Sequence, residues 1–314
     1  MSERGFPVLD LHAAREVAAP SALAAELGAA LREFGFVSVV NHGVGKELRA
    51  RAYAAASAFF ALPERSKQAY HQPGRGGERG YTPFRVETAK DQTEPDLKEF
   101  WHVGRELPAH ALARAGLSAN LWPLEVPDFR ESMLALYAAL DRLGAHLLSL
   151  IALHLGLDPR WFEGAIDHGN SILRPLHYPP LATDWVGVRS APHEDINLIT
   201  LLIGAGEPGL EILRPDGSWL PIETPRDQIV VNVGDMLQRL TNHVLPSTTH
   251  RVVNPPAPWN TRARYSIPFF LHFNAEFEIV TLPNCVSAER PNRYPQSITA
   301  NAYLQQRLRE IGLL

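Results

Sequence analysis

The chain has 314 residues, of which 45% are hydrophobic and 20% charged, the balance of a globular protein that can bury a sizeable core. A net charge of −4, without any long run of lysine or arginine, argues against nucleic acid or an anionic membrane as the main partner. The single cysteine, Cys285, excludes an internal disulfide and fits a reducing compartment; neither a signal peptide nor a bilayer-spanning run is evident, so a soluble cytoplasmic protein is expected.

In chain order, "PSALAAELGAALREFGF" places Leu23, Leu27, Leu31 and Phe34 on one helical stripe, with Ser21 as cap and Gly35 as stop. "FVSVVNHG" reads as a strand running into a turn at His42. "KELRARAYAAASAFFALP" reads as a second helix closed by Pro63. A polar, glycine-containing loop from His71 to Gly80 follows. The clearest helix starts near Asp128 and runs to about Gly156, with Met133, Leu136, Leu140, Leu143, Leu147 and Leu150 stepping by three and four.

Beyond residue 170 short β-rich segments alternate with turn signals, among them a hairpin turn at Pro215–Gly217. Their close spacing suggests a sandwich or barrel rather than a parallel sheet. A last amphipathic helix carries Leu304, Leu308 and Ile311 on one side. No flexible tether separates the helical and β-rich halves, so one domain of 314 residues is expected, a β core buttressed by helices.

The stretch "APHEDINLITLL" sets His193, Glu194 and Asp195 before a strongly apolar run. In a strand, residues two apart share a face, so His193 and Asp195 would project together and Glu194 away. His-x-Asp recurs by chance, and in isolation an ion pair or a turn residue is the better explanation. Further on, however, His250 stands in another β-rich segment, and Arg264 and Ser266 lie two apart in a third. Two imidazoles and one carboxylate that leave open positions form the facial triad of non-haem Fe(II) oxygenases. Arg264 offers a planar fork of donors to a carboxylate, and Ser266 a hydroxyl beside it.

The chain resembles the isopenicillin N synthase-like branch of the Fe(II)/2-oxoglutarate-dependent dioxygenases over nearly all its length. "FPVLDLHAA", "FGFVSVVNHGV", "FFALPERSKQAY" and "EFWHVGRE" are similar to that family's N-terminal region. "HEDINLITLL", "GLEIL", "VVNVGDMLQRLTNHVLPSTTHRVV" and "RYSIPFFL" follow its core in order. The resemblance implies an α+β fold with a double-stranded β-helix (jelly-roll) core over 170–275, an N-terminal region over 1–125, and flanking helices. It implies His193, Asp195 and His250 as iron ligands, with Arg264, Ser266 and Tyr178 around the distal carboxylate of 2-oxoglutarate. Leu176 stands where many members carry an asparagine. The implied activity is oxidation of a small organic metabolite, by hydroxylation or desaturation, with 2-oxoglutarate and O2 consumed and succinate and CO2 released. Isopenicillin N synthase keeps a similar Arg-x-Ser without using 2-oxoglutarate, so an oxidase of that type is the alternative, beside a metal-bound protein without turnover.

Other polar residues receive plainer expectations. Glu194 should face solvent or lie behind the metal, His243 should be a surface turn residue, and His177 should be structural. Phe269 and Phe270 should both be core, and Cys285 a buried small apolar residue. The "GRGGERG" loop, with the segment after it, could form a lid in which Arg85 meets an anionic group.

Overall fold

A computed structural model of the chain describes residues 6–12, 19–74, 77–88, 93–181, 187–204 and 206–310. Strand β1 (Val8–Asp10) precedes helix α1 (Ala19–Phe34), strand β2 (Phe36–Val40) and helix α2 (Lys46–Phe60). Leu23, Leu27 and Leu31 of α1 are buried, and Gly35, at φ +68°, ends it where a Cβ would meet the Thr248 hydroxyl. Ser21 lies inside this helix, two residues beyond Ala19, so it is not the cap that the sequence suggests.

The short helix α3 (Glu64–Gln68) follows Pro63, and strands β3 (Gly80–Thr82) and β4 (Glu99–Gly104) come before α4 (Ala109–Ala115). The long helix α5 (Phe129–His154) then runs for 26 residues, with Met133, Leu136, Leu140, Leu143, Leu147 and Leu150 all buried. By length and composition α5 could cross a bilayer, contrary to the sequence expectation that no such run exists. Its apolar face instead packs on α1, α2 and the sheet behind them. Gly144 allows that approach, since a Cβ there would lie 2.4 Å from the Leu271 side chain.

Helix α6 (Glu163–Ile166) leads into β5 (Ile172–Leu173), β6 (Leu176–Tyr178), β7 (Ser190–His193) and β8 (Ile199–Ile203). Strands β9 (Leu210–Leu213) and β10 (Trp219–Pro221) form the hairpin expected at Pro215–Gly217, with Gly217 at φ +83°. Strand β11 (Ile229–Val233), helix α7 (Asp235–Leu240), β12 (His250–Val252) and β13 (Arg264–Leu271) complete the core. A two-stranded ribbon, β14 (Glu278–Ile279) with β15 (Ile298–Thr299), precedes α8 (Ala300–Glu310). Ile298 and Thr299 pair as strand just before this last helix, and Ile311 lies outside the described residues.

The large sheet runs β1-β2-β11-β8-β13-β5-β4-β3, with β6 joining β13 and β4, and the smaller one runs β10-β9-β12-β7. The division into helices first and strands second is therefore only partly right, because β1 to β4 all enter the large sheet. Side-chain alternation gives this sheet two faces. Ile199, Leu201, Ile203, Ile267, Phe269 and Leu271 join the core shared with α1, α2 and α5. Thr200, Leu202, Arg264, Ser266, Pro268 and Phe270 point the other way, into a cavity that the smaller sheet closes.

Candidate metal centre

Strands β7 and β12 are antiparallel neighbours, and their register places His193 directly opposite His250. The two ring centroids lie 4.4 Å apart. Strand β7 ends at His193, so Asp195 stands in the connection to β8 rather than on a strand. His193 and Asp195 thus come together not by strand alternation but because the connection after His193 brings the carboxylate back beside the rings. One ligand atom from each of His193, Asp195 and His250 lies within 4.8 Å of the others.

Each of the three side chains is held by its far atom. His193 Nδ1 is 2.7 Å from the Ala191 carbonyl and His250 Nδ1 is 3.2 Å from that of Thr248. A carbonyl only accepts, so each Nδ1 carries the proton and each Nε2 presents a lone pair. Asp195 Oδ2 accepts from the Thr200 hydroxyl at 2.5 Å and from Asn232 Nδ2 at 2.9 Å. Its Oδ1 faces both Nε2 atoms at 3.9 Å. Thr200 Oγ1 in turn accepts from Asn197 Nδ2 at 2.8 Å, which commits the hydroxyl proton to Asp195. Phe36 sets its ring edge against His250 at 5.3 Å between centroids.

The electrostatics favour a cation here. Burial lowers the His193 pKa to about 4, helped by the neighbouring charge of His250, so the ring is a neutral donor at pH 7. Burial works against the Asp195 carboxylate, but the His250 and His193 charges and the Asn232 and Thr200 hydrogen bonds outweigh it and hold its pKa below the usual range. Two imidazoles and one carboxylate with an open side suit a divalent transition metal.

On the same cavity wall, Arg264 is 2% exposed. Its guanidinium lies 5.0 Å from the Tyr178 ring centroid, and Nη1 donates to Ser266 Oγ at 3.4 Å. Its Nε has no hydrogen-bond partner, and among the described residues no carboxylate pairs with it. A buried, charged fork with unused donors calls for an anion. Tyr178 and Leu176 stand opposite Arg264 and Ser266 in the register, so the candidate co-substrate residues share one end of the cavity.

Glu194 is absent from the cavity wall; it accepts from the Thr249 hydroxyl at 3.2 Å and lies beside Asp235. Burial, then the Glu194 charge, raise the Asp235 pKa, and Arg307 of α8 sits 3.0 Å from its carboxylate. His177 is structural, 2.6 Å from Glu99 and stacked between Phe60 and Tyr265. His42 closes its turn by accepting from the Val44 N–H at 3.1 Å. Cys285 is buried.

Three expectations need correction. His243 is in a turn, at φ +63°, but it is half-buried and stacked on Tyr294, whose hydroxyl lies 2.6 Å from its Nε2. Phe270 faces the cavity, because alternation along β13 sends only Phe269 to the core. Arg85 does not line the cavity; it pairs with Glu94 at 3.5 Å. Within the supposed lid, Arg79 is buried and donates to Asn170 at 2.9 Å, which ties the loop down, while residues 75–76 and 89–92 lie outside the described set. Sequence reasoning passed over Thr200, Asn232, Lys98 and Arg174. Arg174 could have been found by parity, since Arg174, Leu176 and Tyr178 are two apart.

Comparison with known proteins agrees with this geometry. Residues 6–125 match the family model described as non-haem dioxygenase in morphine synthesis N-terminal, and residues 169–273 match the 2OG-Fe(II) oxygenase superfamily. The 2-oxoglutarate-Fe(II) type oxidoreductase hxnY of Emericella nidulans is 34% identical over 86% of this chain and 81% of its own length. Validamycin A dioxygenase of Streptomyces hygroscopicus is 32% identical over 88% and 79%. A 2OG-Fe(II) oxygenase family protein from Caulobacter crescentus superposes with a TM-score of 0.90 at 48% identity, covering 98% of this chain and 99% of that one. A full-length Neurospora crassa protein, solved in complex with alpha-KG, superposes at 0.87 with 28% identity over 98% of both chains. The chain belongs to the 2OG-Fe(II) oxygenase superfamily, in its isopenicillin N synthase-like branch. It is an Fe(II)- and 2-oxoglutarate-dependent oxygenase with a jelly-roll core, acting on a small metabolite.

Proposed function

We propose that His193, Asp195 and His250 hold the Fe(II), and that Arg264, Ser266 and Tyr178 receive the distal carboxylate of 2-oxoglutarate. One observation carries this reading: three ligand atoms within 4.8 Å of one another share a cavity with a buried guanidinium that has no carboxylate partner among the described residues. Iron, with 2-oxoglutarate and O2, supplies the oxidising power that side chains lack. The chain's own work is positional. The Ala191 and Thr248 carbonyls hold the imidazoles in the ligating tautomer, Thr200 and Asn232 fix the carboxylate, and Arg264 orients the co-substrate. Apolar walls from Leu176, Leu202, Leu210 and Val252 keep bulk water out.

The same reading assigns 170–275 the oxygenase core and 1–125 the family N-terminal region of one domain. The reaction is substrate hydroxylation or desaturation with release of succinate and CO2. The single buried Cys285 supports a cytoplasmic setting. The Neurospora crassa protein is also solved with alpha-KG and thymine together, which makes small planar metabolites the starting set for a substrate screen. The test is anaerobic titration of the Fe(II) protein with 2-oxoglutarate, followed by oxygen. A metal-to-ligand absorption band and then succinate are expected, with both lost in Asp195→Ala and the band weakened in Arg264→Met. A wild-type band that survives Asp195→Ala refutes the ligand assignment.

A further inference from the structure

Among the described residues, three cationic side chains reach the cavity wall: Lys98, Arg174 and Arg264. Under the function proposed above, Arg264 is taken by 2-oxoglutarate, whose other end belongs to the metal. The remaining two differ in what they have left to give.

Lys98 is saturated. Its ammonium is 2.6 Å from Glu87, 2.7 Å from Asp96 and 3.2 Å from the Ser190 hydroxyl. An ammonium has three protons, and three acceptors use them. Arg174 is different. Its Nε donates to His102 Nε2 at 2.5 Å, and Glu87 stays 3.6 Å from Nη1, beyond hydrogen-bond length. The four terminal N–H groups make no hydrogen bond among the described residues, and the side chain, 20% exposed, lines the cavity.

The fork is also fixed in place. The guanidinium carbon lies 4.4 Å from the Phe100 ring centroid and 4.9 Å from that of Phe270, and both contacts resist rotation of its plane. His102 can serve as acceptor because burial, and then the Arg174 charge, keep it neutral. The backbone of Arg174 is anchored opposite Pro268, whose carbonyl accepts its N–H at 2.9 Å. That point is four residues along β13 from Arg264, so the two arginines enter the cavity from backbone positions about 13 Å apart at the strand rise. Thr200, which holds Asp195, is the register partner of Phe270, so the Arg174 fork borders the metal end of the cavity.

We propose that Arg174 is the substrate anchor, and that the substrate is a small organic acid whose carboxylate pairs with its terminal N–H groups. Phe270 then carries the apolar body of that acid past the metal, and Glu87, locked by Lys98, keeps the fork aimed.

The test uses benzoate as probe on the full chain loaded with Fe(II), anaerobically and with saturating 2-oxoglutarate, read by calorimetry. Benzoate should bind at least about tenfold more tightly than benzamide or benzyl alcohol, which lack a second carboxylate oxygen. Arg174→Lys keeps the charge beside Glu87 but loses the fork; it should weaken benzoate at least about tenfold while 2-oxoglutarate affinity moves less than about twofold. Arg174→Met should do the same, and thermal melting of both variants reports whether either fold has changed. Benzoate that binds no better than benzyl alcohol, that is indifferent to Arg174→Lys in a folded variant, or that competes with 2-oxoglutarate overturns the proposal. Failure of the underlying reading looks different: Arg264→Lys would then leave 2-oxoglutarate affinity unchanged.

Discussion

Replacing Thr200 by valine tests the support of the metal site with almost no change of shape. The hydroxyl donates to Asp195 Oδ2 at 2.5 Å and accepts from Asn197 at 2.8 Å, inside a buried strand. A hydrogen bond to a charged group is worth about 1.5–3 kcal/mol, and each 1.4 kcal/mol is a factor of ten. If that bond holds the carboxylate in its ligating pose, Thr200→Val should weaken Fe(II) binding roughly 10- to 100-fold, the range seen when a partner behind a ligand is removed. The metal-free protein should lose about 1–3 kcal/mol as well, because the buried Asn197 amide also loses its acceptor. Anaerobic metal titration, with Co(II) absorption as the optical readout, gives the first number, and urea unfolding of the metal-free protein gives the second. Asn232→Leu removes the other donor at 2.9 Å, and the double variant should be weaker than either single one. Metal affinity within about threefold of wild type in the folded Thr200→Val protein would falsify the idea that Oδ2 support sets the ligand geometry.

Arg264→Met should weaken 2-oxoglutarate binding at least about tenfold yet leave the co-substrate-free protein as stable or about 1–3 kcal/mol more so, since a buried guanidinium without a carboxylate partner is replaced by an apolar chain; calorimetry and melting read the two effects. Gly144→Leu should cost about 2 kcal/mol in urea unfolding, because even a Cβ there meets Leu271 at 2.4 Å; an unchanged midpoint speaks against tight packing of α5 on the sheet. Burial lowers the His272 pKa from 6.5 to about 4, so between those values the unfolded chain binds more protons and stability rises with pH. That contribution, up to about 3 kcal/mol, is complete above pH 6.5 and lost as pH falls to 4. Urea unfolding of the metal-free protein at pH 5 and pH 7 should show a smaller difference in His272→Phe than in wild type; equal differences count against it.

Much of this molecule is legible in its sequence because periodicity encodes burial. The α5 stripe from Met133 to Leu150 is buried as its spacing implies, and β-rich segments after residue 170 do form two sheets. The metal candidates were readable as residue types in order, but their support was not. Thr200 and Asn232 reach Asp195 from β8 and β11, and only their antiparallel register, Asn232 opposite Thr200, makes them a pair. Phe270 was misjudged because an apolar residue in a strand looks the same whichever face it takes. Arg85 was misjudged in the opposite way: a cation in a glycine-rich loop invites a ligand, whereas Glu94 was within reach. Lys98 was not legible, because a lysine next to a strand has meaning only once its partners, Glu87 and Asp96, are known.

Alternation along β13 divides labour at the level of single positions. Ile267, Phe269 and Leu271 serve the helix-backed interior, and Arg264, Ser266, Pro268 and Phe270 serve the cavity. Heritable change can therefore act on the two sets separately. Variation at 268 and 270 would alter what the enzyme accepts while the residues that keep the chain folded stay as they are. One strand thus lets a lineage explore new chemistry from an unchanging frame.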